Sequence, residues 1–349
     1  MPHRPIVALA LVLAFAPAVF AQAWEPMGPL PVDQAGAGRR GYVIASDSAK
    51  VVPPGASRIA LHAVAANNFF REETDAFLIT QRYEVHTLGI AVRHGFGTKR
   101  MPLEAGVQIQ LHESGAGMLN GFVAGVENLW SSLTDRAAAN VRKREAGSAL
   151  PFGTVVVRNG RPMYLAPGAA AGVGDLSLVL KAQLRGVESG GRGPRLAARA
   201  GANLSGAQAF TQGNFAGAGL SVEQRIGRRA ALHGDARVAV LFDRISSWGL
   251  PLRRATVAFS VGPEIGIAGQ TSLSAQIDGS TTPYVAAGAS AFDEAYGAVT
   301  LGLSHRFGRG PRHLIVRGYA RENMMLPLRI RMNSDPDLAV GIEATITAP

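Results

Sequence analysis

The chain has 349 residues, no cysteine and a net charge of +10, with only 17% charged residues against 47% apolar ones. That charge content is low for a soluble surface, and the missing cysteine excludes a disulfide framework and thiol chemistry. The basic residues stand singly along strand-like segments rather than on a reader module, so nucleic acid is not an expected partner.

In chain order, residues 1–4 are basic, 6–20 are apolar apart from Pro17, and Ala21-Gln22-Ala23 (or Val19-Phe20-Ala21) offers a small-residue cleavage site. The pattern predicts a signal peptide over 1–23 and export. Its apolar core is shorter than the ~20 residues of a spanning helix, and no later stretch reaches that length. Residues 24–56 begin "WEPMGPLPVDQAGAGRRG". Rich in Pro and Gly and without period, they read as a loose leader.

Strand-like alternation occupies 57–349. Ile59, Leu61, Ala63 and Ala65 alternate first. Phe77, Ile79, Tyr83 and Val85 then take one phase, and Leu88, Ile90 and Val92 the other. That change of phase predicts a bulge or break between Val85 and Leu88.

An insertion at about 114–175 differs. Within 117–133, Leu119, Phe122, Val126, Leu129, Trp130 and Leu133 fall at helical steps. The polar face lacks the Lys and Arg of an interfacial helix, so the stripe is expected to pack against a barrel mouth or lumen. Asn159-Gly160 in the same insertion predicts a tight hairpin.

From 176 onward the rhythm is regular, from Leu176, Leu178 and Leu180 to Val340, Ile342 and Ile346, with Gly-rich turns between the runs. Strands of roughly 9–11 residues are long enough to cross a bilayer when tilted. One face is aliphatic and nearly free of charge; the other is ionic. The fold class read here is all-β, a transmembrane antiparallel β-barrel of about twelve strands with one short amphipathic helix. The porin-like expectation is placement in the outer membrane of a Gram-negative envelope, with membrane lipid as partner. A secreted soluble β-sandwich also alternates and is the competing fold.

The ionic face carries Lys181, Arg185, Arg195, Arg199, Arg225, Arg237, Arg254, Arg306, Arg317 and Arg321. A water-filled lumen lined by them favours anionic solutes and makes a narrow anion-preferring channel. A closed lumen instead pairs them with Glu223, Asp235, Glu264, Asp278 and Glu343. Basic groups near the rim also suit lipid phosphate, and a structural or interaction role is the remaining non-enzymatic reading. His233 and Asp235 share a strand face and are weak candidates for water activation in a hydrolase of lipid or peptide; a hydrated pair beside Arg237 is the simpler reading. No metal or cofactor motif is present: there is no His-Glu-x-x-His, no Asp-rich loop and no Gly-Lys-Ser/Thr.

The stretch "NNFFREETDAFLITQRYEV", the strand "PLEAGVQIQLHESG", the glycine-led "GMLNGFVAGVENLWSSLTDRA" and "GVGDLSLVLKAQL" resemble an uncharacterised family of bacterial outer-membrane proteins catalogued as domain of unknown function 3187. The resemblance covers roughly residues 58–185 by motif. It implies a compartment and an architecture, and no reaction.

Overall fold

The computed structural model describes residues 24–31, 44–115, 119, 153–167, 170–186, 193–204, 213–246, 249–285, 295–308, 312–322 and 338–349. The signal-peptide expectation at 1–23 lies outside them. So does the helical stripe at 117–133 apart from Leu119, whose N–H donates to a carboxylate oxygen of Glu84 at 2.6 Å.

Among the described residues fourteen strands follow one another: β1 (Ser57–Glu73), β2 (Phe77–Gly97), β3 (Pro102–Gly115), β4 (Gly153–Arg158), β5 (Arg161–Pro167), β6 (Ala170–Arg185), β7 (Arg195–Leu204), β8 (Phe215–Arg225), β9 (Ala230–Leu241), β10 (Ala255–Ala268), β11 (Thr271–Ser280), β12 (Tyr296–Phe307), β13 (His313–Glu322) and β14 (Leu338–Ala348). Twelve of them close into an antiparallel barrel, because β1 pairs with β2 on one side and with β14 on the other. The closing seam runs from Ser57↔Ala348 to Asn67↔Leu338. Closure gives each of the twelve wall strands a partner on both sides, the condition a membrane imposes on a spanning sheet.

Strands β4 and β5 stand apart from the wall as a hairpin that extends β2, pairing Phe77↔Arg158 through Arg82↔Gly153. Its turn is the expected one. Asn159 and Gly160 both have positive φ, 48° and 73°, the backbone that a two-residue turn of the right twist demands.

The barrel's two faces invert the usual partition. Ile59, Leu61, Leu180, Leu301, Ile342 and Ile346 are exposed on the outside, whereas Lys181, Glu223, Asp235, Glu264 and Arg321 are buried inside. A cation on the lipid side costs roughly 2–4 kcal/mol at the bilayer midplane, which accounts for the aliphatic rows. These rows are not sandwiched between two sheets, so the fold is the membrane barrel and not the soluble sandwich.

The change of phase in β2 is not a bulge. Its register against β1 is unbroken from Ser57↔His94 to Glu73↔Leu78, so Phe77, Ile79, Tyr83 and Val85 share the inward face with Thr87 and Arg93. What changes is the packing. Phe77 and Ile79 are inward and buried, joining Val156, Phe215, Leu241, Leu250, Leu252 and Tyr284 in an apolar cluster. That cluster lies at the end of the barrel carrying the long connections, where β2 begins and β9 ends. The opposite end carries short turns such as 98–101, 226–229 and 269–270, together with the start of β1 and the end of β14.

Candidate functional site

Residues 24–56, expected to be loose, enter the barrel in their described parts. Trp24, Met27 and Leu30 are buried, as are Ile44, Ala49 and Val52. Prolines at 26, 29, 31, 53 and 54 remove N–H donors and prevent a regular ladder. The remaining buried backbone groups therefore need partners from the wall.

The first leg, residues 24–31, finds them on four strands, and a fifth holds the Glu25 side chain. Glu264 on β10 accepts the Met27 N–H at 3.0 Å and the Gly28 N–H at 3.2 Å. Gln276 on β11 accepts the Leu30 N–H at 3.0 Å. Arg225 on β8 donates to the Trp24 carbonyl, and its guanidinium lies 5.9 Å from the centre of the indole ring. Arg317 on β13 donates to the Met27 and Pro29 carbonyls. Arg306 on β12 donates to the Glu25 carboxylate at 2.7 Å.

The wall is also cut to fit the leg. A Cβ on Gly266 would lie 2.8 Å from the Trp24 ring, and one on Gly302 would lie 2.5 Å from Leu30 Cδ2. Glycine at both positions leaves room for these side chains. Leu30 completes an apolar patch with Val64, Ala66, Tyr319 and Ala339 beside the closing seam.

The second leg, residues 44–56, returns toward the start of β1. Arg237 donates to the Ile44 carbonyl at 3.2 Å. Asp47 pairs with Arg93 and, at 3.1 Å, with Lys181, which is 134 residues away in sequence. Glu104 accepts the Val52 N–H at 2.8 Å and also pairs with Arg58 and Arg93. Lys50 ties the legs together, donating to the Pro26 carbonyl and lying 3.4 Å from Glu25.

The charges on the leader respond to this setting. Burial alone would raise Asp47, but Arg93, Lys181, Arg58 and Arg199 outweigh it and hold the carboxyl well below its ordinary value. Burial opposes ionisation of Glu25 too, yet Lys50, Arg306 and Arg195 bring it from 4.5 to about 2. Burial pulls the Lys50 ammonium down, with Glu223 and Glu25 resisting.

Most of the ten basic residues expected on the lumen face are there. Lys181, Arg199, Arg237 and Arg321 are buried, and Arg195, Arg225, Arg306 and Arg317 are largely enclosed. Arg185, at the end of β6, and Arg254, just before β10, are exposed instead, because each stands where the wall ends. The enclosed cations meet acceptors: Arg195 meets Glu223 at 2.6 Å, Arg199 meets Asp235 at 2.8 Å and Arg317 meets Glu343 at 3.3 Å. Pairing of this kind supports the packed interior and gives no support to anion preference.

His233 and Asp235 do share the inward face, but they join different networks. His233 Nε2 lies 2.8 Å from Glu264, and Nδ1 lies 3.6 Å from Glu223. Asp235 accepts from Arg199 and Ser221 and pairs with Arg237 at 2.8 Å. Each is engaged by wall partners. Among the described residues no group of His, Asp and Glu converges to hold a metal.

Sequence reasoning missed Glu25, Asp47, Lys50, Arg58, Arg93 and Glu104. One signal was present: Trp24, Met27 and Leu30 recur at three-residue steps in a stretch too apolar to lie loose in water. A cavity of about 350 Å3 remains between the legs and the wall, reached by Lys50, Arg58, His62 and His313.

One solved structure matches this architecture. An outer membrane channel from Pseudomonas putida F1 superposes with a TM-score of 0.54 at 11% identity, covering 87% of this chain and 100% of that one. The Pseudomonas putida toluene transporter TodX matches at 0.40, with 12% identity over 93% of this chain and 98% of its own. A Pseudomonas aeruginosa FadL homologue matches at 0.36, with 10% identity over 84% and 89%. No protein-family model and no curated protein matches the sequence. The likeness to the first of these channels, together with the closed twelve-strand wall, shows the fold of an outer-membrane β-barrel.

Proposed function

We propose that this protein is a plugged, non-enzymatic channel of the bacterial outer membrane, exported by a signal peptide at 1–23, in which residues 24–31 and 44–56 of the leader obstruct the lumen until they are displaced. The observation that carries the reading is the way the leader is held. It has no strand or helix of its own in its described parts, and side chains of the wall grip its backbone. Such bonds break one at a time, whereas a wall strand leaves only by opening the barrel. The aliphatic outer face supports the compartment, as does the motif resemblance of residues 58–185 to the uncharacterised outer-membrane family, and we carry membership of that family as part of the proposal. The short turns and both ends of the barrel wall then face the periplasm, as is usual for such barrels.

The test is single-channel recording in planar bilayers. The native chain should be closed for most of the record. A full-length Trp24→Ala/Met27→Ala/Leu30→Ala variant, folded by the criterion of heat-modifiable gel mobility, should open. A folded variant that stays closed at every voltage would remove the channel reading.

A further inference from the structure

The wall sites that grip the first leg recognise a backbone rather than one particular side chain. Carbonyl-type oxygens from Glu264 and Gln276 face peptide N–H groups, and guanidinium groups from Arg225 and Arg317 face peptide carbonyls. Between them, the gaps at Gly266 and Gly302 admit one indole and one leucyl side chain, set six residues apart. Glu264, Gln276 and Arg317 also hold wall partners in His233 and Ser272, in Asp278 and in Glu343, and each turns its remaining donor or acceptor capacity to a peptide group of the leg. A pure hydrocarbon occupying the same place would replace none of the bonds that Glu264, Gln276, Arg225 and Arg317 make to the leg's backbone, a loss that a site built for hydrogen bonding penalises.

We infer that the lumen, once its leader has moved aside, is a binding track for extended, proline-containing peptides with bulky apolar residues at three-residue steps, and that residues 24–31 are a resident stand-in for that ligand. The inference rests on the plugged-channel reading and adds a ligand class to it. A covalently attached ligand is present at a high effective concentration, so an external peptide competes only where the attached copy is weakened. That condition sets the experiment.

The probe is the synthetic octapeptide Trp-Glu-Pro-Met-Gly-Pro-Leu-Pro, the sequence of residues 24–31, added to the full-length Trp24→Ala/Met27→Ala/Leu30→Ala channel in a planar bilayer. The peptide should close the open variant in a saturable way, and a scrambled octapeptide of the same composition should be about tenfold weaker or worse. Gly302→Leu in the native chain supplies a second test, independent of the first variant. It fills the Leu30 gap from the wall, so it should open the channel while leaving the octapeptide a poor blocker. A triple-variant channel that ignores the octapeptide or that the scrambled peptide closes equally well, or a Gly302→Leu channel that the octapeptide blocks as well as it blocks the triple variant, would overturn the peptide inference and leave the channel reading intact. Folded variants that never open would overturn the channel reading, and this inference with it.

Discussion

Glu264 Oε1 on β10 lies 3.0 Å from the Met27 backbone nitrogen, across 237 residues of sequence, and the same carboxylate also receives the Gly28 N–H, the Ser272 hydroxyl and His233. One buried charge thus fastens the leader to two neighbouring strands. Glu264→Gln keeps the shape and removes the charge. Hydrogen bonds to charged groups contribute about 1.5–3 kcal/mol each. Loss of about 2 kcal/mol from docking raises the open fraction by roughly 30-fold. Recording in planar bilayers measures it, and an unchanged open fraction would show that Glu264 is not the fastening.

Acid should loosen the leader. Docked Glu25 sits at about 2 against an ordinary 4.5, and docked Asp47 is also depressed. A depressed value means the docked state binds fewer protons than the free one. Its stabilisation is therefore complete above about pH 4.5 and is lost as pH falls toward 2. Open probability should be flat from pH 7 to pH 5 and climb below that, and Asp47→Asn should open at neutral pH. A profile that closes on acidification has the wrong sign.

The Asp235 network is structural. Asp235→Ala leaves Arg199 and Arg237 as buried cations without their shared carboxylate, a defect that costs about 3–5 kcal/mol. Reversible unfolding in urea with lipid vesicles should show that loss. Lipid or peptide hydrolysis should be absent from the native protein and from His233→Ala alike; turnover abolished by that substitution would revive the hydrolase reading.

On the outside, Leu180→Arg places a cation among exposed aliphatic residues of β6. The expected cost is roughly 2–4 kcal/mol if the position lies near the midplane, against little for Leu180→Val. In a water-facing wall the arginine would be harmless, so equal stability of the two variants would contradict the lipid-facing assignment.

The wall was legible in the sequence because period two reports directly which residues share a face. Leu176, Leu178 and Leu180 declare the lipid side without any knowledge of their neighbours, and Asn159-Gly160 declares its own turn. β2 misled because alternation shows that faces differ, not what each one meets. Phe77 and Ile79 are apolar toward an interior cluster, whereas Leu88 and Ile90 are apolar toward lipid, and both belong to one unbroken strand. The leader was illegible for a deeper reason. It is recognised through its backbone, which every sequence shares, by side chains such as Gln276 that lie 246 residues away. Only the apolar spacing of Trp24, Met27 and Leu30 left a trace.

Leu30 and Gly302 offer the sharpest handle on whether the leader truly occupies the lumen, since the chain has no cysteine of its own. A Leu30→Cys/Gly302→Cys variant should form an intramolecular disulfide on mild oxidation of the folded barrel in its membrane, remain closed while oxidised and gain openings on reduction. If both thiols instead stay free and react at once with a bulky water-soluble reagent, residues 24–31 lie outside the barrel, and the plug does not exist.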